Sequence, residues 1–113
     1  MVKLGPDVVS EDGLRELLSL GYQLMVVCLK PVERKQGIYI GLWSIRCVSM
    51  DGKSDKVLVV ARRDEHGDRP RVFKTINGLV GFLLGLGFRT ISIPMDPGAR
   101  VAHTLAHHGP YPI

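Results

Sequence analysis

Hydrophobic and polar positions change their spacing several times along the chain, and each change marks an element. Leu14, Leu17 and Leu18 recur at helical spacing behind Ser10, Glu11 and Asp12. That pattern predicts a short amphipathic helix capped by Ser10 and ended by Gly21. From Tyr22 to Lys30 the residues are mostly apolar strand formers, so this segment reads as a strand covered on both faces and stopped by Pro31. A second strand is expected from Ile38 to Met50, then an Asp51-Gly52 turn and a third strand from Lys56 to Arg63. The loop Asp64 to Arg69 leads through Pro70 to a short strand, Arg71 to Lys74.

From Thr75 to Gly87 no side chain is charged, and glycines at 78, 81 and 85 fall on one helical face. Leu79, Val80, Phe82, Leu83, Leu84 and Leu86 cover the rest. Each interior glycine costs a helix roughly 1 kcal/mol relative to alanine. Burying large apolar side chains at about 1.5 to 3 kcal/mol each offsets that cost. The expectation is a helix packed nearly all round, with Gly78, Gly81 and Gly85 pressed against another backbone. That backbone is either its own sheet or the same helix of a second copy. Phe88 to Pro94 then reads as a last strand, and Asp96-Pro97 as the start of a last helix ending at Gly109-Pro110.

Strands joined by short polar turns run antiparallel, whereas the strand after the glycine helix crosses over and runs parallel to the one before it. The expected fold is therefore a single α+β domain over residues 1–113. It has two layers: a mixed, mostly antiparallel sheet (a four-strand meander plus one crossover strand), and against it the glycine-striped helix with two short amphipathic helices. Length agrees, because 113 residues make one core and leave no room for a second. The run Leu79 to Phe88 is far short of the ~20 residues a membrane span needs, and the N-terminus lacks a basic region followed by an apolar one. A soluble cytoplasmic protein is expected, with Cys28 and Cys47 as buried free thiols and a disulfide between neighbouring strands as the alternative.

Charge adds a location. Fifteen basic and eleven acidic residues leave a net charge of +4. In a meander the first and third turns lie at one end of the sheet. Those turns and the strand ends beside them carry Lys30, Arg34, Lys35, Arg62, Arg63, Arg69, Arg71 and Lys74 against Glu33, Asp64, Glu65 and Asp68. Eight minus four equals the whole net charge. Such a rim suits phosphates, with duplex DNA favoured, and Tyr39 and Trp43 on the adjoining strand are placed to face outward for stacking. Ordinary solvated hairpin tips or an acidic protein partner explain the same charges. A homodimer crossing at the glycine faces would double the rim and suit a two-fold symmetric DNA site.

Candidate chemistry is sparse. His103 and His107 stand at i and i+4 on the expected last helix, a spacing that binds zinc, but no glutamate lies between them and no third ligand is evident. Asp64-Glu65-His66-Gly67-Asp68 has groups that hold cations or move protons, and turn chemistry accounts for it equally. Ser44 lacks the glycine of a nucleophile elbow, and the glycine-rich run contains no Lys followed by Ser or Thr. A non-enzyme without metal or cofactor is expected.

Arg71-Val72-Phe73-Lys74-Thr75-Ile76, followed by Leu79, Phe82-Leu83 and Leu86-Gly87, resembles a segment of small plasmid-borne accessory proteins with partition and stability functions. In these a strand ending in an aromatic-basic-hydroxyl triplet leads into an apolar helix. The resemblance covers about residues 58 to 93 and implies a DNA-maintenance role for a mobile element, without enzyme chemistry. Three glycines in the helix are a departure from that pattern. The rival expectation is a protein-interaction module, an inhibitor or adaptor that binds no nucleic acid.

Overall fold

In the computed structural model, residues 7–60 and 67–105 are described. Their elements are β1 (Val8–Val9), α1 (Glu11–Ser19), β2 (Gln23–Lys35), β3 (Ile38–Val48), β4 (Asp55–Leu58), β5 (Val72–Thr75), α2 (Ile76–Leu86) and β6 (Arg100–His103). The fold is α+β with a mixed open sheet. Its strands run in the order β1-β4-β3-β2-β6, with β5 also paired to β3. β1 lies parallel to β4, and the other pairs within the sheet are antiparallel. No described helix is long and apolar enough to cross a membrane.

Both helices begin where the sequence places them. Ser10 Oγ accepts the Gly13 amide at 3.1 Å, and Thr75 Oγ1 accepts that of Gly78 at 3.0 Å. Each hydroxyl supplies a partner for an amide that the first helical turn leaves free. Gly87 ends α2 in the left-handed region at φ 109°, and its amide and that of Phe88 return to Leu84 and Leu83. Leu14 and Leu18 of α1 and Leu79, Leu83 and Leu86 of α2 join Leu24, Val26, Cys28, Trp43, Ile45, Cys47 and Leu58 in one core. Along β2 the burial alternates, so its first half is fully buried on one side only and is not covered equally on both.

The four-strand meander is replaced by a fork. β4 pairs with the far end of β3, where Lys56 faces Cys47, while β5 pairs with the near half, where Phe73 faces Trp43. At the junction Arg71 N donates to Leu58 O and Val60 N to Arg69 O, so the start of β5 enters between β3 and the departing β4. The expected strand Phe88 to Pro94 does not form. Its backbone groups go to side chains instead of a ladder: Ser92 N donates to His103 Nε2 at 3.0 Å, and Pro94 O accepts Trp43 Nε1 at 2.8 Å.

The expected last helix is also absent from the described residues. Asp96-Pro97-Gly98-Ala99 is a turn in which Ala99 N donates to Asp96 O, with Gly98 at φ 87°. Proline followed by a residue with positive φ is the signature of a type II turn, and it outweighs the cap-plus-proline reading of the same residues. The chain then enters β6, which is antiparallel to β2 and not a parallel crossover strand. Among the described residues one amphipathic helix is present where two were expected. Cys28 and Cys47 are free and buried, so the disulfide alternative does not arise.

Candidate nucleic-acid interface

The basic positions fall on a hairpin that outruns its neighbours. β2 does not stop at Pro31. Its register against β3 slips between Cys28 and Lys30 and again between Lys30 and Glu33, each time with one extra residue on β2. Proline lacks an N–H and is tolerated at such bulges, so the second slip accommodates Pro31 within the strand. Cys28 Sγ donates to Lys30 O at 3.1 Å across the first slip. Beyond Cys28, β2 has left β6, and beyond Ile40, β3 has left β5. What continues is a two-stranded arm closed by Gln36 at φ 52° and Gly37 at φ 81°, the two positive φ values of a type I′ hairpin.

The root of the arm is anchored in the core. Val32 packs against the core, and a Cβ at Gly41 would meet Trp43 Cη2 at 3.0 Å and Val32 Cγ2 at 3.3 Å. Gly41 is thus the position that lets the arm approach the indole. Trp43 is completely buried, which corrects the expectation that it faces outward; Tyr39 is 49% exposed, as a stacking residue must be.

Arg34 and Lys35 are exposed on this arm and Lys30 is exposed at its base, opposite Leu42 where β5 still flanks β3; with Glu33 among them the net charge is +2. Arg34 pairs with Tyr39 and Lys35 with Ile38, and residues directly opposite share a face. Arg34 and Tyr39 therefore lie together, the guanidinium carbon 5.9 Å from the ring centre, while Lys35 and Ile38 occupy the other side. Lys74 is exposed on β5, two strands over.

Arg71 does different work. Its Nη1 lies 3.2 Å from Glu11 Oε1, and its guanidinium carbon lies 4.7 Å from the Phe82 ring centre and 5.2 Å from that of Phe73. Glu11 also holds Arg15 at 3.1 Å, and Arg15 Nη1 donates to Gly85 O near the end of α2. This cluster ties α1, β5 and α2 together. A cleft of about 300 Å³ beside it is lined by Ser10, Glu11, Asp12, Val59 and Arg71, two acids against one arginine already engaged.

The single rim is accordingly redistributed. Lys35 stands opposite Ile38 and Val72 opposite Ser44, six positions apart on β3 and about 20 Å along an extended strand. Arg69 is exposed near the fork, and Arg62 and Arg63, with Asp64, Glu65 and His66, lie outside the described residues.

His103 sits on β6, not on a helix, and is buried with its ring edge-on to Phe88. Nε2 accepts from Ser92, which places the ring proton on Nδ1, where it finds no partner among the described residues. The i, i+4 geometry with His107 lapses because β6 is a strand, and His107 itself lies outside the described residues. Among the described residues no three His, Cys, Asp or Glu side chains gather as a metal requires.

Gly78, Gly81 and Gly85 are exposed, and a Cβ at Gly81 or Gly85 would meet nothing within 4 Å. The glycine face is not pressed against the protein's own sheet. Sequence reasoning missed the arm because Pro31 reads as a stop; the available signal was Lys35-Gln36-Gly37-Ile38, a two-residue turn flanked by strand.

No family model, curated protein or solved structure matches this chain.

Proposed function

We propose that the protein is a small, non-enzymatic nucleic-acid-binding accessory protein of a mobile element, acting in the cytoplasm through Lys30, Arg34, Lys35 and Lys74. The observation that carries this reading is the arm, which holds exposed Arg34 and Lys35 and a half-exposed tyrosine beyond the last pairing of β5 and β6, with exposed Lys30 at its base. Resemblance to plasmid partition and stability proteins supports the mobile-element part, and Phe73-Lys74-Thr75 does end a strand and lead into an apolar helix. In this reading the helices form one layer behind the sheet, supported by their buried leucines meeting in a single core.

Binding to duplex DNA should weaken with salt at a log-log slope near −0.9 per phosphate neutralised, so the four cations give about −3.6. Fluorescence anisotropy between low and physiological salt measures that slope; a slope near zero would remove the reading. The protein works as a homodimer in the same reading, supported by the open glycine face of α2. A pull-down recovering one stoichiometric protein partner, unaffected by nuclease, would favour the interaction module instead.

A further inference from the structure

We infer, resting on the nucleic-acid reading above, that the β2–β3 arm enters the major groove of B-form duplex DNA, with Arg34 directed at base edges and Lys30 and Lys35 at the backbone phosphates. Size is the first argument. Paired strands lie about 4.8 Å apart, and with side chains projecting from both faces a two-stranded ribbon is about 10 Å thick. The B-form major groove, about 12 Å wide, admits such a ribbon; the minor groove, about 6 Å wide, does not. The major groove of A-form RNA is deep and too narrow for side chains to read.

Reach is the second argument. Past the Glu33–Ile40 pair, where β5 is still joined to β3, Arg34 and Lys35 opposite Tyr39 and Ile38, with the two-residue tip, extend roughly 7 to 10 Å, comparable to a groove depth of about 8.5 Å. The tip is only Gln36 and Gly37, so nothing bulky blocks entry.

The chemistry on the arm matches the groove. Arg34 carries a planar fork suited to the O6 and N7 acceptors of guanine, and Tyr39 supports that fork from the same face. Ile38, 52% exposed, offers an apolar contact of the kind a thymine methyl takes. Lys30 and Lys35 flank these residues and are free of any ion pair in the described structure. Arg34 beside Tyr39 on one face of the arm and Ile38 on the other offer contacts that attraction to phosphate alone does not require. Arg71 provides the contrast, since its guanidinium is already held by Glu11 and two rings.

The test measures the affinity of the full chain for duplex DNA and duplex RNA of one sequence. It is repeated for Lys30→Ala/Arg34→Ala/Lys35→Ala, with methyl green as a major-groove competitor and netropsin as a minor-groove competitor. Expected are at least tenfold tighter binding to DNA than to RNA, displacement by methyl green but not by netropsin, and a triple variant whose salt slope is shallower by about 1.8, for the two phosphate contacts of Lys30 and Lys35. Circular dichroism confirms that the variant is folded, since all three side chains are exposed. DNA binding that survives the triple substitution, or that netropsin alone displaces, overturns the arm's placement while leaving the nucleic-acid reading intact. No salt-sensitive binding to either duplex by the unmodified protein overturns both.

Discussion

Two arginines five positions or fewer from an aromatic residue have opposite uses in this molecule. Arg71 is held between Glu11, Phe73 and Phe82 and so ties elements together, whereas Arg34 is exposed on the arm with Tyr39 beside it. Residue type does not distinguish them; position on the core or on the arm does. Cys47 makes the same point for a thiol. Burial pushes its pKa from 9.0 up to about 11, an effect partly opposed by Lys56 and slightly reinforced by Asp55. The unfolded thiol ionises first as pH rises, so the contribution of Cys47 to stability is full below pH 9 and is lost as pH climbs toward 11. Denaturant unfolding at pH 8 to 11 should therefore fall more steeply for the unmodified protein than for Cys47→Ala, by no more than one proton per molecule. Equal slopes would mean that the thiol is not held neutral by its surroundings.

At the scale of elements, α2 carries an unexpected openness. Leu79, Leu83 and Leu86 are buried, but Leu84 is 45% exposed and the three glycines face outward. Three buried leucines at about 1.5 to 3 kcal/mol each still exceed the roughly 3 kcal/mol that three glycines cost, so the helix stands without being packed all round. Methyl groups at Gly81 and Gly85 meet no atom, and Gly81→Ala/Gly85→Ala should raise the unfolding free energy by about 1 to 2 kcal/mol. If two copies meet at this face, light scattering will report a smaller mass for the same variant; an unchanged mass dissociates the stripe from assembly. Capping was legible in the sequence because Ser10 and Thr75 act within four residues of themselves. The last helix was misread for the opposite reason: Asp96-Pro97 is shared by caps and turns, and Gly98 decides between them only through a φ that sequence pattern does not display.

For the molecule as a whole, the α+β class followed from local spacing and the sheet is mixed as expected, but its parallel pair is β1 with β4, not a crossover strand after the glycine helix, and the fork of β4 and β5 on β3 depends on contacts between distant segments. A meander was the simplest solution to short polar turns. It failed where β5 pairs with β3, Phe73 facing Trp43, instead of continuing a hairpin with β4. The basic positions do not form the single rim expected of them, since Val72, next to Arg71, and Lys35 stand about 20 Å apart along β3.

Gly41, Val32 and Trp43 meet where the arm leaves the body, and Trp43 is the sole tryptophan of the chain. The protein thereby contains an intrinsic optical gauge at its own hinge. Bending of the arm at Gly41 would press on the indole, whose N–H donates to Pro94 O. Titrating duplex DNA while recording tryptophan emission should produce a saturable change in wavelength or intensity for the native chain. That signal should vanish in Lys30→Ala/Arg34→Ala/Lys35→Ala, although the fluorophore itself is untouched.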